Sequence, residues 1–370
     1  MASITKRPDG RWRARYRDEA GKEHAKHFDR KVDGQRWLDE VTAAVLTGQY
    51  VDPKAGRETV KQYAERWRQT QDHRPGTEAL YERLLRLHVY PALGDLPLKN
   101  VRHSDARALV SGLSRGLAPN TARQAHAITR TIFRSAVADK LIAATPFEKI
   151  PLPKVERGEV RPPSLAAVRR LVEHAPERLQ ALVMLAAGSG LRSGEMLGLT
   201  VDRVDFLRRE VRVDRQLVYV SGTPPRMGPP KTPESRRTVP VPQWVADALA
   251  AHLAAFPASE DGLIFQSDKG GPILRTTLNG RWRQTVKRAG LDDTLHLHHL
   301  RHGYASWLNA AGVPFTTVME LLGHAPQGVT WATYTHRVDG WDRQVRDALT
   351  AAWLADSEEF ADSVRTAEGS

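Results

Sequence analysis

Cysteine is absent from all 370 residues, so no disulfide framework staples this chain. Aromatic residues make up only 7 %, and no apolar run approaches the roughly 20 residues of a membrane-spanning helix. The N-terminal stretch MASITKRPDGRWRARYR carries no apolar signal core. Export and membrane insertion are therefore not expected, and a reducing, cytoplasmic interior suits the chain. Acid is the third deficit, with 43 Asp and Glu against 55 Lys and Arg and a formal net charge of +12. That balance points to a polyanionic partner, nucleic acid first, although a ribosomal or membrane surface would attract it by charge alone. The length supports two or three domains with cores of their own.

What is present changes character along the chain. In GRWRARYR, Trp12, Ala14 and Tyr16 alternate with Arg11, Arg13, Arg15 and Arg17 before a Glu19-Ala20-Gly21 turn. The period of two predicts a hairpin with one cationic face, which enters a DNA groove or forms a solvated edge. Trp37, Val41, Val45 and Leu46 at helical spacing predict a helix over the other face. YVDPKAGR, at residues 50–57, is a polar linker. From Thr59 to about Leu141 the pattern is helical: one stripe through Val60, Tyr63 and Trp67, another through Leu80, Leu84, Leu85, Leu87 and Val89 that Pro91 is expected to stop. A further helix follows a cap region at His103-Ser104-Asp105, and a fourth starts after Pro119, with Arg123, Arg130 and Arg134 off its apolar face. EKIPLPKVERGEVRPP then breaks the chain with four prolines.

The last part concentrates chemistry. After a helix ending at Gly188-Ser189-Gly190 comes LRSGEMLGL, where Arg192 precedes Ser193, the expected N-cap of a short helix, and Glu195 lies one turn on. Arg192 there either meets a phosphate, with Glu195 orienting it, or closes a buried ion pair. VRV and LVYV are expected to pair as strands, with TVPVP as another strand, and Lys231 sits at or beside a proline-rich hairpin turn. TLHLHHLRHGYASWLNAAGVPFTTVMELLGHAPQGVTWATYTHR places His298 and Arg301 one turn apart on a helix that Gly312 ends. A second helix closes at Gly323, leaving His324 just beyond the stop, and Tyr334 follows. Trp341, Val345, Leu349 and Trp353 predict a final helix that packs on its own domain or on a neighbour's.

Taken in order, Arg192 in GLRSGEMLGL, Lys231 in PKTPESRRTVPVP, His298 and Arg301 in HHLRH, His324 in LGH and Tyr334 in TYTH resemble the tyrosine recombinase family of phage integrases and Xer-type recombinases. The resemblance implies a multidomain, mainly α fold with small β-sheets. It would comprise an arm-type DNA-binding domain at 1–55 (a three-stranded sheet plus helix), a helical, SAM-like core-binding domain at 56–150, a linker at 151–163, a mixed α+β catalytic domain at 164–355 and a tail at 356–370. It implies Tyr334 as nucleophile, Arg192 and Arg301 holding the phosphate, Lys231 protonating the leaving oxygen, His298 as base, His324 as hydrogen-bond donor and Glu195 orienting Arg192. Arg11, Arg13, Arg15, Arg123 and Arg130 become candidates for DNA contact. The same resemblance implies double-stranded attachment sites as substrate, a homotetramer on DNA, directionality and host DNA-bending factors, a nucleoid setting, and no metal, nucleotide or other cofactor.

The chemistry is consistent on its own terms: a tyrosine attacking phosphorus stores the phosphodiester bond as a 3′-phosphotyrosine, and planar guanidinium forks suit the charge gathered on the non-bridging oxygens. Rival readings are a metal site at His296, His298, His299 and His302, which no suitably spaced Asp or Glu accompanies; a type IB topoisomerase; an Xer-like or transposon recombinase; and a DNA-binding regulator that has lost cleavage.

Overall fold

The alternation of Trp12–Arg17 is satisfied by a strand with one face buried. The structure, a computed structural model, describes residues 2–17, 21–46, 55–152, 162–220, 222–323 and 341–368. They fall into two compact units, Met1–Arg157 and Gly158–Ser370. The expected Glu19-Ala20 turn, most of the 50–57 linker and most of the 151–163 linker lie outside the described residues.

In the first unit, β1 (Ser3–Lys6), β2 (Trp12–Arg17) and β3 (Glu23–Phe28) form an antiparallel sheet in the order β1-β2-β3. Ala14 and Tyr16 are buried with Ile4 and Phe28 against Trp37, Leu38 and Val41 of α1 (Lys31–Leu46). The parity that buries Ala14 places Arg13, Arg15 and Arg17 together on the opposite face.

A helical core follows. Thr59 and Gln62 form a reciprocal cap on α2 (Val60–Gln69), through bonds of 3.2 and 3.0 Å. α3 (Pro75–Leu84) runs into a π-helical turn at Leu85–Val89 and then α4 (Tyr90–Leu93). Pro91 therefore does not stop the helix as expected. It occupies the first turn of α4, where a missing N–H costs little, and the π turn absorbs the change of register. Asp105 caps α5 (His103–Gly116) by accepting from the Arg102 N–H at 2.8 Å. α6 (Pro119–Ala138) crosses the core, where Tyr63 donates to Asp139 at 2.6 Å and the Trp67 indole to Ser135 at 2.9 Å.

The second unit surrounds α8 (Glu177–Ser189), whose buried residues occupy nearly its whole circumference, as a central helix requires. α7 (Leu165–His174) precedes it and α9 (Ser193–Leu197) follows. β4 (Val204–Asp205), β5 (Glu210–Val213) and β8 (Arg237–Pro240) form one antiparallel sheet, while β6 (Gln216–Val218) pairs with β7 (Arg226–Gly228) in another. This corrects the expected pairing of VRV with LVYV. Val211 faces Val239 and Leu217 faces Met227, because the two residues between β5 and β6 carry the chain into a new sheet instead of reversing it. α10 (Gln243–Ala255), α11 (Arg275–Arg288), α12 (His298–Ala310) and α13 (Phe315–Leu322) complete the unit. α14 (Trp341–Glu368) buries Val345 and Leu349 in this same core. Up to Trp353 the last helix thus packs on its own domain.

Candidate active site

Sequence-distant segments of the second unit meet at the C-terminal end of α13. A helix leaves its last carbonyls without intrahelical donors, and cations are favoured at that end. Here three arginines supply the donors. Arg237 Nε donates to Leu321 O, Arg301 Nη2 to Leu322 O at 2.5 Å, and Arg192 Nη2 to Gly323 O at 3.1 Å. Gly323, at φ +63°, closes the helix in the left-handed region; a Cβ there would sit 2.9 Å from Arg237 Nη1, so the glycine also makes room for that guanidinium.

Glu195 organises the same guanidiniums from the other side. Its Oε2 accepts from the Arg192 backbone N–H at 2.9 Å and its Oε1 from Arg192 Nη1 at 2.9 Å. Arg237 Nη2 reaches Oε2 at 2.9 Å and Nη1 reaches Oε1 at 3.3 Å. Arg192 itself, not Ser193, occupies the N-cap position of α9, because the Glu195 carboxylate reaches back to cap the helix and no serine hydroxyl is required. Burial alone would push the Glu195 carboxyl up; the charge and hydrogen bonds of Arg237, then those of Arg192, hold it below the ordinary carboxylate range.

Arg301 is 3 % exposed and also donates from Nη1 to Gly190 O at 2.7 Å. Burial, then the positive charges of Arg192 and Arg237, press its pKa down to about 9. Three guanidiniums around the single carboxylate of Glu195 leave positive charge in excess among the described residues. An anion placed here would relieve that strain. The Arg192 side chain keeps 27 % of its surface, whereas that of Arg237 keeps 5 %. With Nη1 engaged by Glu195 and by Ser235 Oγ at 3.2 Å, the described residues leave Arg192 its Nε proton and one on Nη2 for a ligand.

His298 opens α12 and keeps contact with solvent while being partly enclosed by its neighbours. Partial burial, then the charges of His302, Arg301 and Arg192, push its imidazole down to about 4, so it stands neutral and able to accept a proton. His298 and His302 meet edge to face with ring centroids 5.0 Å apart, and His296 and His299 are 5.4 Å apart. Among the described residues no three His, Asp or Glu side chains are grouped to hold a metal ion.

Lys231 is exposed in the segment joining β7 to β8, not at the tip of the β6–β7 hairpin, because the strand pairing is Gln216–Val218 with Arg226–Gly228. That segment is tied to the guanidinium cluster: Thr232 Oγ1 and Ser235 Oγ are 3.1 Å apart, and Ser235 is the acceptor from Arg192. His324 and Tyr334 lie outside the described residues, which resume at Trp341. Arg237 and Ser235 join this cluster from PKTPESRRTVPVP, a segment in which the sequence singles out Lys231 alone. A signal existed: in Arg237-Thr238-Val239 the strand period puts Arg237 on the same side as Val239, and a charge at an inward position demands partners.

The basic residues singled out elsewhere are in the first unit. Arg13 and Arg15 share the outer face of the sheet, with Glu23 3.5 and 3.8 Å away. Arg11 precedes β2 and bonds Asp29 at 3.1 Å. On α6 Arg123 is exposed, and Arg130 pairs with Glu148 at 3.1 Å.

The second unit, a mixed α+β fold that follows a small sheet and a helical part, thus assembles from distant segments a cationic clamp of the kind that suits a phosphate-bearing polyanion. Family profiles agree along the chain: phage integrase, N-terminal domain, at residues 2–47; phage integrase central domain at 57–150; and phage integrase family at 165–340. The chain belongs to the phage integrase family and is a site-specific recombinase of the tyrosine class. A protein of Mycobacterium tuberculosis that carries the name prophage phiRv2 integrase is 27 % identical over 362 residues, 95 % of each chain. The Tn1549 transposon integrase, solved in complex with a circular intermediate DNA, has this fold at a TM-score of 0.67 with 23 % identity, covering 79 % of this chain and 99 % of that one. A lambda integrase tetramer bound to a Holliday junction matches at a TM-score of 0.54 with 17 % identity, over 91 % of this chain and 98 % of that one. Among the described residues no helix is long and apolar enough to cross a membrane.

Proposed function

We propose that this recombinase cuts and rejoins double-stranded attachment-site DNA to integrate or excise a phage or related mobile element, with Tyr334 as nucleophile. The Tyr334 oxygen bonds to phosphorus as the bond from phosphorus to the 5′-oxygen breaks, leaving a 3′-phosphotyrosine and a 5′-hydroxyl. His298, neutral in the free protein, accepts the phenol proton. Lys231 donates a proton to the departing 5′-oxygen. Arg192 and Arg301 hold the non-bridging oxygens, where negative charge gathers, and His324 adds a hydrogen bond. Glu195 keeps Arg192 in position. The 5′-hydroxyl of a second strand reverses the step, so the bond energy is conserved and no nucleotide is consumed.

In this reading residues 1–55 bind arm-type DNA through Arg11, Arg13 and Arg15, and residues 56–150 embrace the core site with Arg123 and Arg130 at phosphates. The linker is 151–163, the catalytic domain 164–355 and the tail 356–370. Four copies act on two DNA sites in the nucleoid of a bacterial host, with directionality and DNA-bending factors as partners. The likeness to an integrase tetramer on a Holliday junction supports that stoichiometry.

One observation carries the reading: three guanidiniums converge on one end of α13 around the single carboxylate of Glu195, positive charge awaiting a phosphate. The test is a nicked suicide duplex bearing the core site. Wild type forms a covalent adduct in chelator without ATP, and Tyr334→Phe forms none; an adduct persisting in the Phe variant refutes the assignment. Removing residues 1–55 leaves core-site cleavage but abolishes ordered integration, and unchanged integration refutes the arm-binding role.

A further inference from the structure

We propose that Arg237 is a positioning residue for strand cleavage, locking the phosphate clamp to the point where the chain enters the segment bearing His324 and Tyr334. The proposal rests on the roles assigned above to Arg192 and Tyr334. Arg237 makes two kinds of contact at once. Its two terminal nitrogens take both oxygens of Glu195, at 2.9 and 3.3 Å, and that carboxylate holds the backbone and the guanidinium of Arg192. Its Nε donates to Leu321 O, two residues before the end of the described part of α13 and its cap, while Nη1 also donates to Ser235 O at 2.9 Å.

These bonds use nearly all of the donors of a guanidinium, and the side chain is 5 % exposed, so Arg237 has little left with which to touch a substrate. It acts through Arg192 and through α13. Only a planar fork spans the carboxylate and the helix carbonyl together; an ammonium carries the charge to a single point. A simpler role, neutralising a buried carboxylate, predicts different behaviour. In that case charge is what matters, and removing both charges together restores function.

The experiment uses the full-length protein and single-turnover cleavage of the nicked core-site duplex. Arg237→Lys is expected to fold and to bind the duplex as wild type does, but to cleave about 10- to 100-fold more slowly, the cost of losing hydrogen bonds to a charged group. The deficit shrinks on a duplex with a methylphosphonate at the scissile position, because a neutral centre depends less on Arg192. A 5′-phosphorothiolate, which needs no proton to leave, restores cleavage to Lys231→Ala but not to Arg237→Lys. The double variant Glu195→Gln/Arg237→Gln stays slow. Wild-type cleavage by Arg237→Lys, recovery in the double variant, or an equal deficit on both phosphate chemistries overturns the proposal. The control separates the two levels: an adduct formed by Tyr334→Phe defeats the functional reading itself, whereas an inactive Tyr334→Phe beside a fully active Arg237→Lys defeats only the positioning role.

Discussion

Gly190 and Tyr304 are packed so closely that a Cβ on the glycine would lie 2.5 Å from the tyrosine Cδ1. Gly190 also sits at φ +60°, which ends α8 and aims its carbonyl at Arg301 Nη1. Gly190→Ala thus meets two penalties, a left-handed alanine and an overpacked core around the fully buried Tyr304, together about 2–5 kcal/mol. Chemical denaturation of the variant checks this, with cleavage falling further than stability because Arg301 loses its carbonyl. A change below about 0.5 kcal/mol with normal cleavage would show that the contact is not limiting.

The same contact shows what was and was not legible in the sequence. Helices declared themselves through apolar spacing, so Val60, Tyr63 and Trp67 fall on the buried face of α2 as expected. Gly312 and Gly323 mark their stops because a left-handed turn favours glycine. The candidates Arg192, Lys231, His298 and Arg301 stand out by order and local motif, which is one-dimensional information. Arg237 was missed because its importance lies in whom it touches, Glu195 and Leu321, neither of which is near it in sequence. The pairing of β5 is obscure in the sequence for a related reason: short strands of two to four residues carry too few alternations to specify a partner, and Val211 lies between Val204 and Val239 and not against the LVYV segment that follows it.

Glu195 sets an acid dependence. Its folded carboxyl ionises more readily than an unfolded one, so its stabilisation is complete above the ordinary glutamate range, about pH 4.5, and is lost as pH falls through the lower folded value. Glu195→Gln removes that term. Above pH 5 the wild type is expected to be the more stable by about 3–5 kcal/mol, the cost of leaving buried guanidiniums without their carboxylate. The gap narrows toward pH 2. Urea unfolding across this range measures it, and a gap that widens toward acid contradicts the assignment.

His298 acts in the same direction for a different reason, because its surroundings disfavour the charged imidazole where those of Glu195 favour the charged carboxylate. Its folded pKa lies below the unfolded one, so between about pH 6.5 and 4 the unfolded chain takes up a proton that the native site declines, and stability falls with pH in that window. Imidazole NMR on DNA-free protein is expected to show a midpoint near 4. Binding of core-site DNA raises it, since a phosphate beside Arg192 and Arg301 offsets their charge. A free-protein midpoint at 6.5 or higher would remove the basis for a neutral His298.

Trp353 holds the last helix in place. Its ring stacks on Trp244, centroids 4.6 Å apart and 16° from parallel, and the Arg169 guanidinium lies 4.5 Å from the ring centroid. Trp353→Ala is expected to cost about 2–4 kcal/mol through lost area and stacking. Hydrogen exchange should quicken across 341–353 while Leu300 and its neighbours stay protected. Uniform exchange throughout the unit would mean that α14 is not a separable element.

The outer face of the N-terminal sheet carries its own restraint. Glu23 lies 4.0 Å from Arg17 and 3.5 and 3.8 Å from Arg13 and Arg15, the two arginines of this face proposed to meet phosphates. These pairs are exposed, so each contributes little to folding and is screened by salt. Their consequence appears in binding. If Arg13 and Arg15 each neutralise one phosphate, Arg13→Ala and Arg15→Ala each lower the slope of log K against log salt by about 1. Glu23→Gln tightens binding, because the arginines no longer exchange an intramolecular carboxylate for the DNA. Titrations of the intact chain on arm-type DNA, at salt concentrations of about 50 to 200 mM, separate these effects from the core site when a variant lacking residues 1–55 supplies the baseline. Unchanged slopes in both alanine variants would place the DNA on some other face, and the arginine row would then be a solvated sheet edge.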